Sequence, residues 1–163
     1  MTQINNAFFN KGRERALEGM CMVRPIEIPE GTVLYRYYDR NRARTAQQGM
    51  CGVWWLEYEA FQHIKHFALR NGYSQSYAAR LFAAILYEWS EVNAFVACQV
   101  TEPLRGWKGR GRQVKSEGKD SRDLPTMTPM QGMLEIYQVC VPGLDGEFSL
   151  APRALKVVAD GAL

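Results

Sequence analysis

Residues 94–100 read Ala94-Phe95-Val96-Ala97-Cys98-Gln99-Val100, an apolar run of strand length that ends before Pro103. A run without polar alternation belongs inside a sheet with both faces covered, so the chain must fold around a central strand. The material for such a core is present. Of the 163 residues, 47% are hydrophobic, and four Trp and eight Tyr supply large apolar surfaces. That is enough to offset the ordering entropy of a chain of single-domain size, so residues 1–163 are expected to form one domain.

Around that strand the pattern alternates between helix and strand signals. Residues 1–30 form an N-terminal segment with a short helix over about 11–20, after which Pro25 and Pro29 punctuate the chain. The β-branched and aromatic stretch 33–38 predicts a strand that enters the basic loop Asp39-Arg40-Asn41-Arg42-Ala43-Arg44. Residues 49–56 pair glycines with two adjacent indoles, which suits a short strand or tight turn beside a cleft.

Phe61, Ile64 and Ala68 recur at helical spacing over 57–70, and Asn71-Gly72 provides the stop. Ser74 can cap a second helix over 75–89, with Tyr77, Leu81, Ala84, Ile85 and Trp89 on its apolar face. Strands are expected at 134–141, 147–150 and 155–158. The stretch between, 105–130, is rich in Gly and basic residues over its first part and reads as a flexible basic loop. The whole is an α+β chain with a mainly antiparallel split sheet and two central helices.

Composition excludes several classes. Cys21, Cys51, Cys98 and Cys140 stand far apart without a Cys-x-x-Cys pair, so free thiols are expected and no metal site. His63 and His66 share a helix face but lack the His-Glu-x-x-His pattern, and read as surface residues. The N-terminus has no signal-peptide stretch and no segment offers the ~20 apolar residues of a membrane span. A cytoplasmic protein is expected, or one delivered into another cell without a conventional signal peptide. The net charge of +3 is modest, so local clusters decide the choice of partner.

Four stretches can carry chemistry. On the strand 33–38, Leu34, Arg36 and Tyr38 share a face, which sets a guanidinium between apolar neighbours; an edge-strand ion pair or a bound phosphate would satisfy it. In Gly52-Val53-Trp54-Trp55 the glycine allows close backbone approach and the indoles point to opposite faces of an extended segment, one towards the core and one towards a cleft, or both to the core. On the strand 134–141, Gln138 is the one strongly polar side chain on the face of Leu134, Ile136 and Cys140, so its amide needs a partner, either loop backbone or ligand. Glu135 lies on the opposite face. Finally, Arg105, Trp107, Lys108, Arg110 and Arg112 interleave charge, glycine and an indole, a composition that suits phosphate contacts and base stacking in nucleic acid, a grip on an acidic protein, or a solvated loop.

The order of these stretches resembles the ADP-ribosyltransferase superfamily. The matching segments are Gly31-Thr32-Val33-Leu34-Tyr35-Arg36, Gly52-Val53-Trp54-Trp55 and Gln138-Val139-Cys140-Val141-Pro142, with Val100-Thr101-Glu102-Pro103-Leu104 resembling the family's middle strand. The resemblance implies NAD as substrate without a metal, with Arg36 and Tyr35 at the NAD phosphates, and Gly52 with Trp54 or Trp55 at the nicotinamide. It puts Gln138 or Glu135 at the ribose, and the ADP-ribose acceptor would be a protein or nucleic acid. Where the family usually carries a catalytic Glu, this chain has Gln138. An amide keeps the hydrogen bond but not the charge that stabilises an oxocarbenium-like ribose, a loss on the order of 3 kcal/mol. Glu135 after a local bulge is the alternative. A different outcome is a non-enzymatic interaction module that binds nucleic acid or an acidic protein through the basic stretch.

Overall fold

The computed structural model describes residues 2–130 and 136–163. In chain order the elements are α1 (Asn6–Gly19), β1 (Met20–Ile28), β2 (Val33–Tyr38), α2 (Ala46–Gly49), β3 (Trp54–Trp55), α3 (Tyr58–Asn71) and α4 (Gln75–Ala83). Then follow β4 (Ala94–Val100), β5 (Leu104–Gly111), β6 (Val114–Lys115), β7 (Thr126–Met127), β8 (Tyr137–Cys140), α5 (Ala151–Ala154) and β9 (Leu155–Ala162).

The apolar run is the centre of a sheet. β4 lies between β2 and β9, antiparallel to both, and Ala94, Val96, Ala97, Cys98 and Val100 are all buried. On one face, Phe61 of α3 stacks on Tyr35 with ring centroids 4.4 Å apart and meets Phe95 at 5.4 Å. On the other face, Leu34, Val96, Cys98 and Val100 join Trp55, Leu104 and Val139 in the main core. A second antiparallel sheet runs β1-β5-β8-β3, and β6 with β7 forms a small hairpin ladder. The chain therefore has an α+β fold with a split antiparallel sheet. Among the described residues no helix is long and apolar enough to cross a membrane.

Among the described residues the two larger sheets touch through one bridge, Tyr35 to Leu56, whose two hydrogen bonds are 2.8 and 2.7 Å. Beyond it the ladder stops and the strands part. That parting opens the cleft described below.

Several expectations need correction. The first helix spans Asn6–Gly19 rather than 11–20, and the proline-containing stretch after it is strand β1. Pro25 is tolerated there because β1 forms the edge of its sheet, where a missing N–H costs no ladder bond on the open side. Helix α4 stops at Ala83 instead of reaching Trp89, because Ala84 turns left-handed (φ 52°). The buried Arg80 guanidinium then takes the carbonyls of Ile85 and Ser90 as acceptors, at 3.0 and 2.7 Å. Residues 147–150 are turn and bend, not strand, whereas β9 continues to Ala162.

The expected basic loop is the largest difference. Arg105 to Gly111 lies in strand β5, paired with β1 and, over Trp107–Arg110, also with β8. Nor is the chain beyond it free. The Glu88 carboxylate accepts from the Ser116 hydroxyl and the N–H groups of Glu117 and Lys119, and Arg122 pairs with Asp120 and Glu91. Of the expected strand 134–141, the described part is β8; Glu135 lies outside the described residues.

Candidate functional site

Beside the parting of the sheets lies a cavity of about 520 Å³, walled by α1, β2, β3, the chain after α4, the chain after β5, and β8. Arg36, Tyr35, Trp54, Trp55, Gln138 and Arg112 from the sequence-predicted set all line it. Distant segments thus converge on one space.

Arg36 sits on the inner face of β2 with Leu34 and Tyr38, as its register predicts. Its guanidinium fills the gap where the ladder stops: Nε donates to the Gly49 carbonyl at 3.0 Å and Nη1 to the Trp54 carbonyl at 3.0 Å. The edge-strand ion pair expected as one alternative is not formed; among the described residues no carboxylate lies within ion-pair distance of Arg36. Burial, reinforced by the nearby Arg15 charge, lowers its pKa to about 10, so the group remains a cation at neutral pH. Nη2 takes no protein acceptor among the described residues. A half-buried guanidinium that pairs with no carboxylate among the described residues and keeps a donor to spare is a site for an anion.

Gly52 is required by that guanidinium. A Cβ at position 52 would stand 2.2 Å from Arg36 Cζ and 2.3 Å from Nη2, so any side chain there would displace the guanidinium. The adjacent indoles divide as the alternation of an extended segment dictates. Trp55 is buried (1% exposed), with Nε1 donating to the Gly52 carbonyl at 2.9 Å. Trp54 turns to the α1 side, where a Cβ on Gly19 would come within 2.6 Å of its ring, and it lines the cavity.

Gln138 also faces the cavity, across from the end of α4. Its Nε2 donates to the Ala83 carbonyl at 3.4 Å, a long bond to one of the carbonyls that a helix end leaves unpaired. Oε1 accepts nothing among the described residues. Tyr37 and Tyr35 complete this wall; burial raises both phenols, and Gln75 donates to Tyr37 Oη at 3.0 Å.

The cavity wall is electropositive. Arg15, Arg36, Arg112 and Lys115 line it, and Glu18 is the only carboxylate on it among the described residues. Arg15 is held by Asp145 at 2.5 Å, and Arg112 donates to the Leu17 carbonyl at 2.7 Å. Sequence reading missed Arg15, Glu18, Lys115 and Trp89. The first two sit on a helix with no motif, and Trp89 lies in what periodicity presents as the apolar face of α4.

The remaining basic candidates lie elsewhere. Trp107 is buried (7% exposed), stacked on Phe9 at 4.2 Å with Nε1 donating to the Phe9 carbonyl. Arg105 covers the other part of that aromatic pair, 3.8 Å above Phe9, donates from Nη1 to Asn6 Oδ1 at 2.8 Å and is ion-paired with Glu27 at 3.5 Å. Lys108 is ion-paired with Glu57, and Arg110 is a strand residue opposite Tyr137. An indole inside the α1–β5 interface cannot stack on a base, so the nucleic-acid reading of this stretch loses its aromatic component.

No family model and no curated protein matches this sequence. Among solved structures, a chain of the complex of Tne2 with Tni2 is similar, with TM-score 0.52 and 18% identity over 87% of this chain and 92% of that one. A chain of the complex of Rhs1-CT with its cognate immunity protein RhsI1 matches with TM-score 0.50 and 10% identity, over 89% and 84% of the two chains. At such identity the likeness is one of fold.

Proposed function

We propose that this chain binds NAD in the cavity and breaks its nicotinamide–ribose bond, passing ADP-ribose to a macromolecular acceptor. The observation that carries this reading is the convergence of the Arg36 guanidinium, which has no carboxylate partner among the described residues, with Trp54 and Gln138 on a cavity of about 520 Å³. Volumes of that order suit ligands of several hundred daltons. The pyrophosphate would take the free Nη2 edge of Arg36, a charge-assisted contact of the strong kind. An indole offers a flat face for a nicotinamide ring, and the Gln138 amide reaches a ribose hydroxyl.

Breaking the glycosidic bond places positive charge on the ribose, which a fixed carboxylate stabilises. Gln138 has no charge to offer. That role falls to Glu18 on the cavity wall or to Glu135. The likeness to a complex that contains a cognate immunity protein adds support for a harmful activity, as an effector acting in another cell would have.

Calorimetric titration of NAD and an assay for released nicotinamide test the proposal together. We expect saturable binding that weakens about a hundredfold or more in Arg36→Ala, and nicotinamide release that falls by a similar factor in Glu18→Gln or Glu135→Gln. Absence of binding at millimolar NAD, or unchanged affinity in Arg36→Ala, removes the enzymatic reading. What would then remain is an interaction module, supported by the partner proteins in both similar complexes.

A further inference from the structure

One wall of the cavity is built by a segment without regular structure, residues 84–93, and its construction is unusual. Both ends carry left-handed residues, Ala84 (φ 52°) and Val92 (φ 49°). For a β-branched residue such as Val92 that conformation is strained, and strain of this kind persists only where the surroundings enforce it. Here they do. Arg80 donates to the Ile85 and Ser90 carbonyls, and Arg42 donates to those of Glu88 and Trp89, at 3.0 and 2.6 Å. The Asp123 carboxylate accepts from the N–H groups of Tyr87 and Glu88, and the buried Asp39 accepts from that of Glu91.

Side chains from several distant parts of the chain therefore fix this backbone. Yet the indole at its middle is only half covered. Trp89 is 46% exposed and lines the cavity; among the described residues its ring stacks on no other and its Nε1 has no acceptor. A large aromatic face on a rigid backbone, held free beside an electropositive cavity, has the properties of a stacking platform.

We propose that Trp89 stacks on the purine of the bound dinucleotide, and so acts as a specificity-determining residue on a different wall from Trp54. The proposal rests on the dinucleotide reading above. Dinucleotides carry a flat ring at each end of a charged linker, and the cavity offers one indole on the α1–β3 wall and another on this segment.

Three probes separate the ring contributions: NAD, ADP-ribose (purine without nicotinamide) and nicotinamide mononucleotide (nicotinamide without purine). In Trp89→Ala we expect NAD and ADP-ribose to bind about tenfold more weakly or worse, with nicotinamide mononucleotide unchanged. Trp89→Phe should restore most of the lost affinity, since a phenyl ring still stacks. Unchanged ADP-ribose affinity in Trp89→Ala, with NAD still bound by wild type, overturns the assignment. An equal loss for all three probes also overturns it, because the indole would then shape the cavity rather than read the purine. If wild type binds neither NAD nor ADP-ribose, the dinucleotide reading itself has failed.

Discussion

Strand β5 and the β2–β3 cleft both set arginines beside aromatic rings, but they dispose of the charge in opposite ways. On β5, Arg105 has Asn6 and Glu27 and lies over Phe9, and Lys108 has Glu57. In the cleft, Arg36 has two carbonyl oxygens and no carboxylate among the described residues. A guanidinium removed from water without a counter-charge is costly, whereas a paired surface cation costs little. The difference teaches that basic and aromatic composition does not mark a binding site. The missing counter-anion does.

The largest effect should come from β5, and it should be structural. Trp107→Ala removes a buried indole, its stacking on Phe9 and its bond to the Phe9 carbonyl. Truncations of that size cost about 3–5 kcal/mol, read as a lower midpoint in urea, and NAD affinity of the folded fraction should stay unchanged. Arg36→Met should behave in the reverse sense. Two carbonyls lose their donor, but the cost of a half-buried charge without a carboxylate partner among the described residues disappears, so stability should stay within about 2 kcal/mol of wild type. NAD binding should nevertheless fall about a hundredfold, as for Arg36→Ala. If Trp107→Ala abolished binding at unchanged stability, or Arg36→Met unfolded the protein, the contrast between the two regions would be wrong.

How far the sequence revealed these regions follows from what each signal measures. Strand β4 was legible because an unbroken apolar run admits few placements, and the inward face of Arg36 followed from simple alternation along β2. Helix α3 followed from Phe61, Ile64 and Ala68. Strand β5 was hidden by its glycines, which read as flexibility. Their physical reason is proximity: a Cβ on Gly109 would stand 2.7 Å from the Cys21 carbonyl, and one on Gly106 would come 3.2 Å from that of Cys140. Neighbouring strands approach there, so glycine marks tight packing. Trp89 was misplaced because helical periodicity continues past Ala83, whereas the backbone is turned aside by Arg80 and its acceptors, a tertiary effect that spacing cannot encode.

Two smaller effects sharpen the comparison. Gly52→Ala places a methyl group where the Arg36 guanidinium now lies, 2.2 Å from Cζ, and the side chain must leave the Gly49 and Trp54 carbonyls to make room. We expect NAD binding to weaken about tenfold, near 1.4 kcal/mol, with a stability loss of about 1–2 kcal/mol. Wild-type affinity in this variant would mean that the site does not depend on where Arg36 is held.

The smallest effect is expected at Arg105, the cation that composition singles out first. Its partner Glu27 is mostly exposed, at a separation of 3.5 Å, so Arg105→Gln should change stability by less than about 1 kcal/mol. Neither NAD affinity nor its salt dependence should respond, because among the described residues the side-chain contacts of Arg105 are made to α1 and β1 rather than to the cavity. Neutralising Lys115, which lines the cavity and has no carboxylate partner among the described residues, should instead lower the salt dependence of NAD binding. Equal responses from the two variants would show that the protein reads its ligand through diffuse positive charge, and the distinction drawn from Arg36 would then lose its force.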